Sequence, residues 1–129
     1  MSEVRVAIER EADIVRARQE GRQLAAALGF SIADQTLIAT AISEVARNIV
    51  VWAQAGEIVV RHAREGERVG VEVVASDRGP GIDNPELALR DNELGAGLPG
   101  VRRLMDAFAM ETAVGQGTTV TMTKWKREP

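Results

Sequence analysis

The sequence predicts an α+β fold in which helices cover one face of an antiparallel sheet, as a two-layer sandwich. Along the chain, apolar residues recur either every two residues, as in a strand, or about every 3.6 residues, as in a helix. The changes between these two periods give the element order β-α-α-β-β-loop-α-β-β. The predicted strands have one polar face, which is typical of antiparallel sheets that need covering on one side only. The helices contain enough apolar residues to cover that side.

The composition is that of one globular domain, here residues 1–129, with 45% hydrophobic and 27% charged residues. Cysteine is absent and histidine occurs once, so thiolate metal sites and cysteine nucleophiles are excluded. A net charge of −3 and few aromatic residues argue against nucleic-acid binding. The sequence has no signal-like start and no apolar run of about 18 residues, which predicts a cytoplasmic protein without membrane contact.

Local patterns predict the first half of the fold. Alternating apolar residues indicate a strand at 4–8, and a helical stripe that starts at Glu11 ends near Gly29, a typical C-terminal helix residue. Ser31 is expected to cap a second helix, with Asp34 at the third position of a capping box. The apolar stripe of this second helix consists of Ile38, Ile42, Val45, Ile49 and Trp52.

The second half alternates again between the two periods. Four more strands are predicted over 57–63, 68–77, 109–114 and 118–125. A turn at 65–67 makes the first two a hairpin, and a surface loop is expected over 78–94. A third helix is predicted from the stripe Val101, Leu104, Met105 and Phe108.

Two polar residues of the second helix suggest chemistry. Glu44 and Asn48 both fall about 100° to one side of the apolar stripe, at the edge of the core. A half-shielded carboxylate and amide can act as a general base and as an oxygen ligand for Mg²⁺. Taken alone, the pair is more simply a polar helix flank.

Asp77 is in phase with the inward-facing valines of its strand, so its carboxylate needs hydrogen-bond donors. The amino group of an adenine could supply one, but so could the Asp-Arg-Gly-Pro-Gly turn that follows. Gly79 and Gly81 suit both interpretations because they permit close approach or positive φ. Thr118 is in phase with Val120, and its hydroxyl should face the same interior.

The segment 95–100 matches Gly-x-Gly-x-x-Gly, a weak motif by itself. A dinucleotide-binding turn would need a buried strand before it, and 90–94 is not one. Glycines that lead into a helix, with Pro99 near its first position, expose backbone N–H groups where a phosphate could bind. A flexible loop before a helix is the alternative.

Taken in order, these four elements resemble the N, G1, G2 and G3 boxes of the GHKL ATPase superfamily, which has the Bergerat fold. Within it, the chain is similar to RsbT-type switch protein kinases of bacterial stress-signalling modules, relatives of the anti-sigma-factor kinases. The similar segments cover almost the whole chain: 13–15, 17–19, 41–44, 46–49, 77–82 and 94–106.

The resemblance implies roles for individual residues. Glu44 is the expected base, Asn48 is expected to hold Mg²⁺ against the phosphates of ATP, and Asp77 is expected to accept from adenine. Further nucleotide-binding positions are Gly79, Gly81, Gly95, Gly97, Gly100 and Thr118. Arg18 on the first helix is the expected docking position for a protein substrate.

The resemblance also implies a serine/threonine kinase that phosphorylates a STAS-domain antagonist and, once released, activates a PP2C-type phosphatase. An anti-sigma-factor kinase and a non-catalytic scaffold with this fold are the alternatives. The family usually has a Gly, Ser and Thr-rich stretch before the Gly-x-Gly, where this chain has 92–94, Asn-Glu-Leu. This short lid predicts weaker nucleotide affinity or slower turnover.

Overall fold

A computed structural model describes residues 3–81 and 97–127. The elements it shows follow the predicted order: β1 (Glu3–Ile8), α1 (Glu11–Ala27), α2 (Ile32–Asn48), β2 (Gly56–Glu65), β3 (Arg68–Asp77), α3 (Gly97–Leu104), β4 (Ala107–Ala113) and β5 (Gly117–Trp125). A π-helical turn, Ile49–Ala53, continues α2. The α+β prediction is therefore confirmed.

The strands form one antiparallel sheet in the order β1-β2-β3-β5-β4. Its register aligns apolar residues from every strand in rows across one face. One such row, from edge to edge, is Val4, Val60, Val73, Met122 and Phe108. Helices α1 and α2 pack on this face and on each other. The arrangement is the predicted two-layer sandwich, with its core between the layers.

The core contains large aliphatic side chains from both layers. Those that are fully buried are Ile8, Ile38, Ile42, Ile58, Met122, Val6, Val60, Val71, Val73 and Val101. Gly21 lets α1 approach α2 closely, because a Cβ at this position would collide with Cδ1 of Ile42. A larger residue at 21 would require the Ile42 side chain to shift within the packed core.

The helix ends match the local predictions. Gly29 has φ +89°, its N–H donates to the carbonyl of Ala26, and the N–H of Phe30 donates to that of Ala25, both at 3.0 Å. This is the Schellman arrangement that a glycine after a helix predicts. The Ser31 hydroxyl accepts a 3.1 Å bond from the N–H of Asp34, which confirms the cap of α2.

Two predicted stripe residues lie elsewhere. Trp52 is 72% exposed instead of continuing the buried stripe of α2. The cause is the π-helical turn, in which the N–H of Gln54 bonds to the carbonyl of Ile49 at 2.8 Å. This i→i+5 winding takes the side chains out of the phase of an α-helix.

Phe108 is the second such residue. It belongs to β4 and pairs with Met122, because α3 already ends at Leu104. The N–H of Asp106 donates to the carbonyl of Thr123 at 2.9 Å, and this bond starts the β4–β5 pairing two residues before Phe108. The side chain of Phe108 still packs against the core, so the helical and strand patterns agree about its burial.

The helical run Ile32–Ala53 has 22 residues and contains an 18-residue window with a mean hydropathy of 1.2, enough in length and composition to span a membrane, which the sequence had not predicted. Its buried residues include Ile38, Ile42 and Val45, which belong to the same core cluster as Ile58, Val60 and Val73 of the sheet. The central helix of a two-layer sandwich has this character, because one of its sides is covered by the sheet.

Candidate nucleotide-binding site

Glu44 and Asn48 lie half-buried on one flank of α2, as predicted. Ser43 and Val45 next to Glu44 are buried, whereas the Glu44 side chain is 35% exposed. Nη1 of Arg47 lies 3.4 Å from Oε1 of Glu44. An ion pair this exposed contributes little free energy. The Glu44 carboxylate therefore remains accessible at the edge of the core.

Asp77 ends β3 opposite Thr118 of β5. Its Oδ1 accepts two hydrogen bonds, at 2.8 Å from the N–H of Gly79 and at 3.3 Å from the N–H of Thr118. Oδ1 of Asp77 therefore caps the turn that follows β3, as one of the two interpretations of this residue predicted. Among the described residues no donor bonds to Oδ2, so this half-buried carboxylate keeps an acceptor for a further group.

Close packing joins the end of β3 to the end of α2. A Cβ at Gly79 would lie 2.5 Å from Cβ of Ala53. A Cβ at Gly56, which pairs with Asp77, would lie 2.8 Å from Cγ2 of Ile49, the residue after Asn48. The fold thereby brings the Asn48 end of α2 next to the Asp77 end of β3.

Two glycines with positive φ fix the backbone around Asp77. Gly81 has φ +77° and Gly117 has φ +86°. A Cβ at Gly81 would collide with the carbonyl of Ala113, and one at Gly117 with the carbonyl of Asp77. Both positions require glycine for conformation and for space.

Thr118 contacts Asp77 through its backbone, as described above. Its hydroxyl lies 2.8 Å from the hydroxyl of Thr112 on β4. Sequence analysis did not single out Thr112, although it alternates in phase with Phe108 and Met110. The register of the sheet places Thr112 directly opposite Thr118. This register cannot be predicted from the sequence of β4 alone.

The N-terminus of α3 is where the sequence predicts binding of the nucleotide phosphates. Gly97 opens this helix, and Pro99 is its third residue, still in the first turn where a missing N–H breaks no helical bond. A Cβ at Gly100 would meet no heavy atom within 4 Å. Helix α3 packs against α2, which carries Glu44. Gly95, and the segment 92–94 at which the predicted lid is shortened, lie outside the described residues.

The oxygen atoms of Asn48 and Glu44 suit a Mg²⁺ ion that binds together with a nucleotide. In the described part of the chain, no group of three or more His, Asp or Glu side chains could hold a metal ion. Mg²⁺ usually takes one or two protein oxygens and completes its shell with phosphates and water. The half-buried amide of Asn48, one turn from the Glu44 carboxylate, fits this requirement.

Arg18 is half-buried on α1, the helix that packs on the side of α2. Arg18 does not take part in the glycine contacts and the Asp77 hydrogen bonds that join α2, β3 and β5. Its neighbour Val15 is 40% exposed, so this part of α1 presents a mixed polar and apolar surface. A docking role for Arg18 stays a prediction.

Comparison with known proteins identifies the fold and the family. The family model for the Histidine kinase-like ATPase domain matches residues 8–124. The chain is 45% identical over 127 residues to the serine/threonine-protein kinase RsbT of Bacillus subtilis, covering 95% of this chain and 96% of that protein. It is 30% identical over 112 residues to an anti-sigma F factor of a Thermoanaerobacter species, covering 78% of this chain and 77% of that protein.

Solved structures show the same architecture. A crystal structure of RsbU and RsbW domains from Mycobacterium tuberculosis superposes with a TM-score of 0.69 at 21% identity, over 99% of this chain and 34% of that one. The histidine kinase domain of a blue-light-activated kinase from Erythrobacter litoralis superposes with a TM-score of 0.57 at 19% identity, over 88% and 59%. The chain therefore belongs to the histidine kinase-like ATPase family, as a serine/threonine-protein kinase of the RsbT type.

Proposed function

We propose that this kinase acts as one cytoplasmic domain, residues 1–129, and transfers the γ-phosphoryl group of Mg·ATP to a serine of a STAS-domain antagonist. The observation that carries the proposal is the Asp77 carboxylate. One of its oxygens is held by the N–H groups of Gly79 and Thr118, and the other remains an acceptor. The 45% identity to a serine/threonine-protein kinase supports the reaction class.

Adenine recognition is assigned to Asp77. Its Oδ2 would accept from the exocyclic amino group, and the fixed Oδ1 would prevent the carboxylate from turning away. Gly79, Gly81 and Thr118 surround this position. A buried acceptor without a partner is costly, so a purine that lacks the amino group should bind less well.

The phosphates are assigned to the first turn of α3. Its backbone N–H groups have no helical partner, and its positive dipole end favours anions. Gly97 and Gly100 add no side chain to this turn, and Gly95 would extend it. Asn48 would hold Mg²⁺, which when bound neutralises charge on the phosphates.

Glu44 is assigned as the base. It would accept the proton of the substrate serine while the serine oxygen bonds to the γ-phosphorus. The bond from that phosphorus to the bridging oxygen of ADP would break, and ADP would leave with its electron pair. Phosphoryl transfer needs alignment and charge stabilisation more than covalent help from the protein.

We also infer a partner switch, in which release from the phosphorylated antagonist frees the kinase to activate a PP2C-type phosphatase. Arg18 on α1 is the proposed docking residue. A second candidate partner is a sigma subunit, because a relative at 30% identity is an anti-sigma F factor. Pull-down with each purified partner separates the two: retention of the sigma subunit alone would replace the phosphatase proposal.

The kinase reaction is tested with labelled ATP, Mg²⁺ and a purified STAS-domain protein. We expect the wild type to transfer the label. In Glu44→Gln the rate of transfer should fall by at least about a hundredfold. Glu65→Gln, in the last residue of β2 and paired with the start of β3 far from Asp77, is the matched control and should transfer normally. Undiminished transfer by Glu44→Gln would remove Glu44 as the base.

A further inference from the structure

Lys124 is a buried cation that the fold and the nucleotide site leave unexplained. Only 4% of the residue is exposed, and it lies in phase with Val120 and Met122 on the inner face of β5. An apolar residue would continue that pattern. An ammonium group at such a position loses hydration and needs compensating partners.

The partners of Lys124 are at the C-terminal end of α3. Its Nζ donates a 2.9 Å hydrogen bond to the carbonyl of Leu104, the last residue of the helix, and lies 3.9 Å from Oδ1 of Asp106. The final carbonyls of a helix have no helical donor and form the negative end of its dipole. The Lys124 ammonium therefore stabilises this helix end.

Asp106 ties the same helix end to β5 by two more bonds. Its N–H donates to the carbonyl of Thr123 at 2.9 Å, and its Oδ2 accepts from the N–H of Trp125 at 2.7 Å. Lys124 lies between these two residues in sequence and bonds to Leu104. We call this set of Leu104, Asp106, Thr123, Lys124 and Trp125 the α3 anchor.

The α3 anchor is connected to the nucleotide site by a short rigid element. Helix α3 has eight residues, and its rise of about 1.5 Å per residue separates Gly97 from Leu104 by about 10 Å. A helix of this length is marginal alone, so external contacts fix its position. The contacts are packing on α2, the buried Val101, and the α3 anchor.

We propose that Lys124 is a positioning residue for the phosphate end of the nucleotide site, acting through α3 and the first-turn residues Gly97 and Gly100. The inference rests on the proposed function, because it assigns the phosphates to that turn. In this proposal, phosphate binding depends on a buried lysine at the far end of β5 that does not contact the nucleotide. Adenine binding at Asp77 does not depend on this lysine.

The test compares two ligands by titration calorimetry, ADP with Mg²⁺ and adenosine, in the full chain. Lys124→Met should weaken ADP binding about tenfold and change adenosine binding less than about twofold. The matched control is Lys126→Met, because Nζ of Lys126 lies near Gly29 at the end of α1 and not at α3. It should leave both affinities unchanged.

A purely structural lysine would produce a different pattern. Unchanged ADP affinity in folded Lys124→Met, or equal losses for both ligands, overturns the inference. If Lys124→Met does not fold, Lys124→Gln replaces it, because its side chain is uncharged and one bond too short to repeat the 2.9 Å bond to Leu104, and the same two outcomes decide. A wild type that binds neither ligand instead refutes the proposed nucleotide site, so the two failures are distinct.

Discussion

The carboxylate of Asp77 accepts a 3.3 Å hydrogen bond from the backbone N–H of Thr118, 41 residues later in the chain. This bond crosses from β3 to β5 at the sheet end where both central strands meet the predicted site. Because the same oxygen also accepts from Gly79, the orientation of the carboxylate is fixed from two directions.

Asp77→Asn should separate the two functions of the carboxylate. The amide can keep an oxygen toward Gly79 and Thr118, but it places an NH₂ group where adenine needs an acceptor. We expect the affinity for ADP to fall at least about tenfold with little change in the thermal midpoint. Calorimetry and thermal unfolding measure both. Glu72→Gln, on the outer face of β3 and paired with Arg61, is the control and should bind normally.

Asn48→Ala should remove the effect of Mg²⁺ rather than the affinity for the nucleotide itself. The wild type should bind ADP more tightly with Mg²⁺ than with EDTA, since Asn48 is the proposed protein ligand of the ion. In the variant the two affinities should become similar, and the value in EDTA should match that of the wild type. A full Mg²⁺ effect in Asn48→Ala would contradict the assignment.

Gly117→Ala and Gly66→Ala test how tightly the site is packed. Both glycines have positive φ, so each change pays about 1 kcal/mol for the backbone conformation. Gly66 has no neighbour within 4 Å, whereas a Cβ at Gly117 collides with the carbonyl of Asp77. Urea unfolding should therefore show a clearly larger loss of stability for Gly117→Ala. Equal losses would mean that the turn can move aside.

Trp52→Ala tests the π-helical turn. With 72% of Trp52 exposed, its removal should change the free energy of unfolding by less than about 0.5 kcal/mol. Ile42→Ala in the buried stripe of the same helical run should lose about 2–5 kcal/mol. Acrylamide quenching of tryptophan fluorescence gives a second measurement, because Trp52 should be the more accessible of the two tryptophans. A large loss from Trp52→Ala would place this side chain in the core.

Local signals explain what the sequence predicted well. Gly29 and Ser31 act within a few residues of themselves, so their caps follow from neighbouring positions. The half-buried flank with Glu44 and Asn48 follows from the geometry of one helix. The element order followed from changes in period, which do not depend on tertiary contacts.

A local change of helical winding and several nonlocal contacts explain what the sequence did not predict. Trp52 departs from its stripe because the helix changes its winding, and Phe108 satisfies both a helical and a strand pattern. The second donor to Asp77 depends on the register between β3 and β5, and the partner of Lys124 depends on where α3 ends. Neither can be obtained from one segment of the sequence.

The position of β5 between β3 and β4 has a consequence for the order of folding. The turn after Asp77 is held on one side by Ala53 and on the other by the β4–β5 hairpin, where the N–H of Gly115 donates to the carbonyl of Pro80 at 2.8 Å. A nascent chain that has not yet released β5 contains Glu44, Asn48 and Asp77 but lacks the strand that orients the carboxylate. Nucleotide binding through Asp77, as proposed above, would therefore require that β5 has already joined β3 in the sheet.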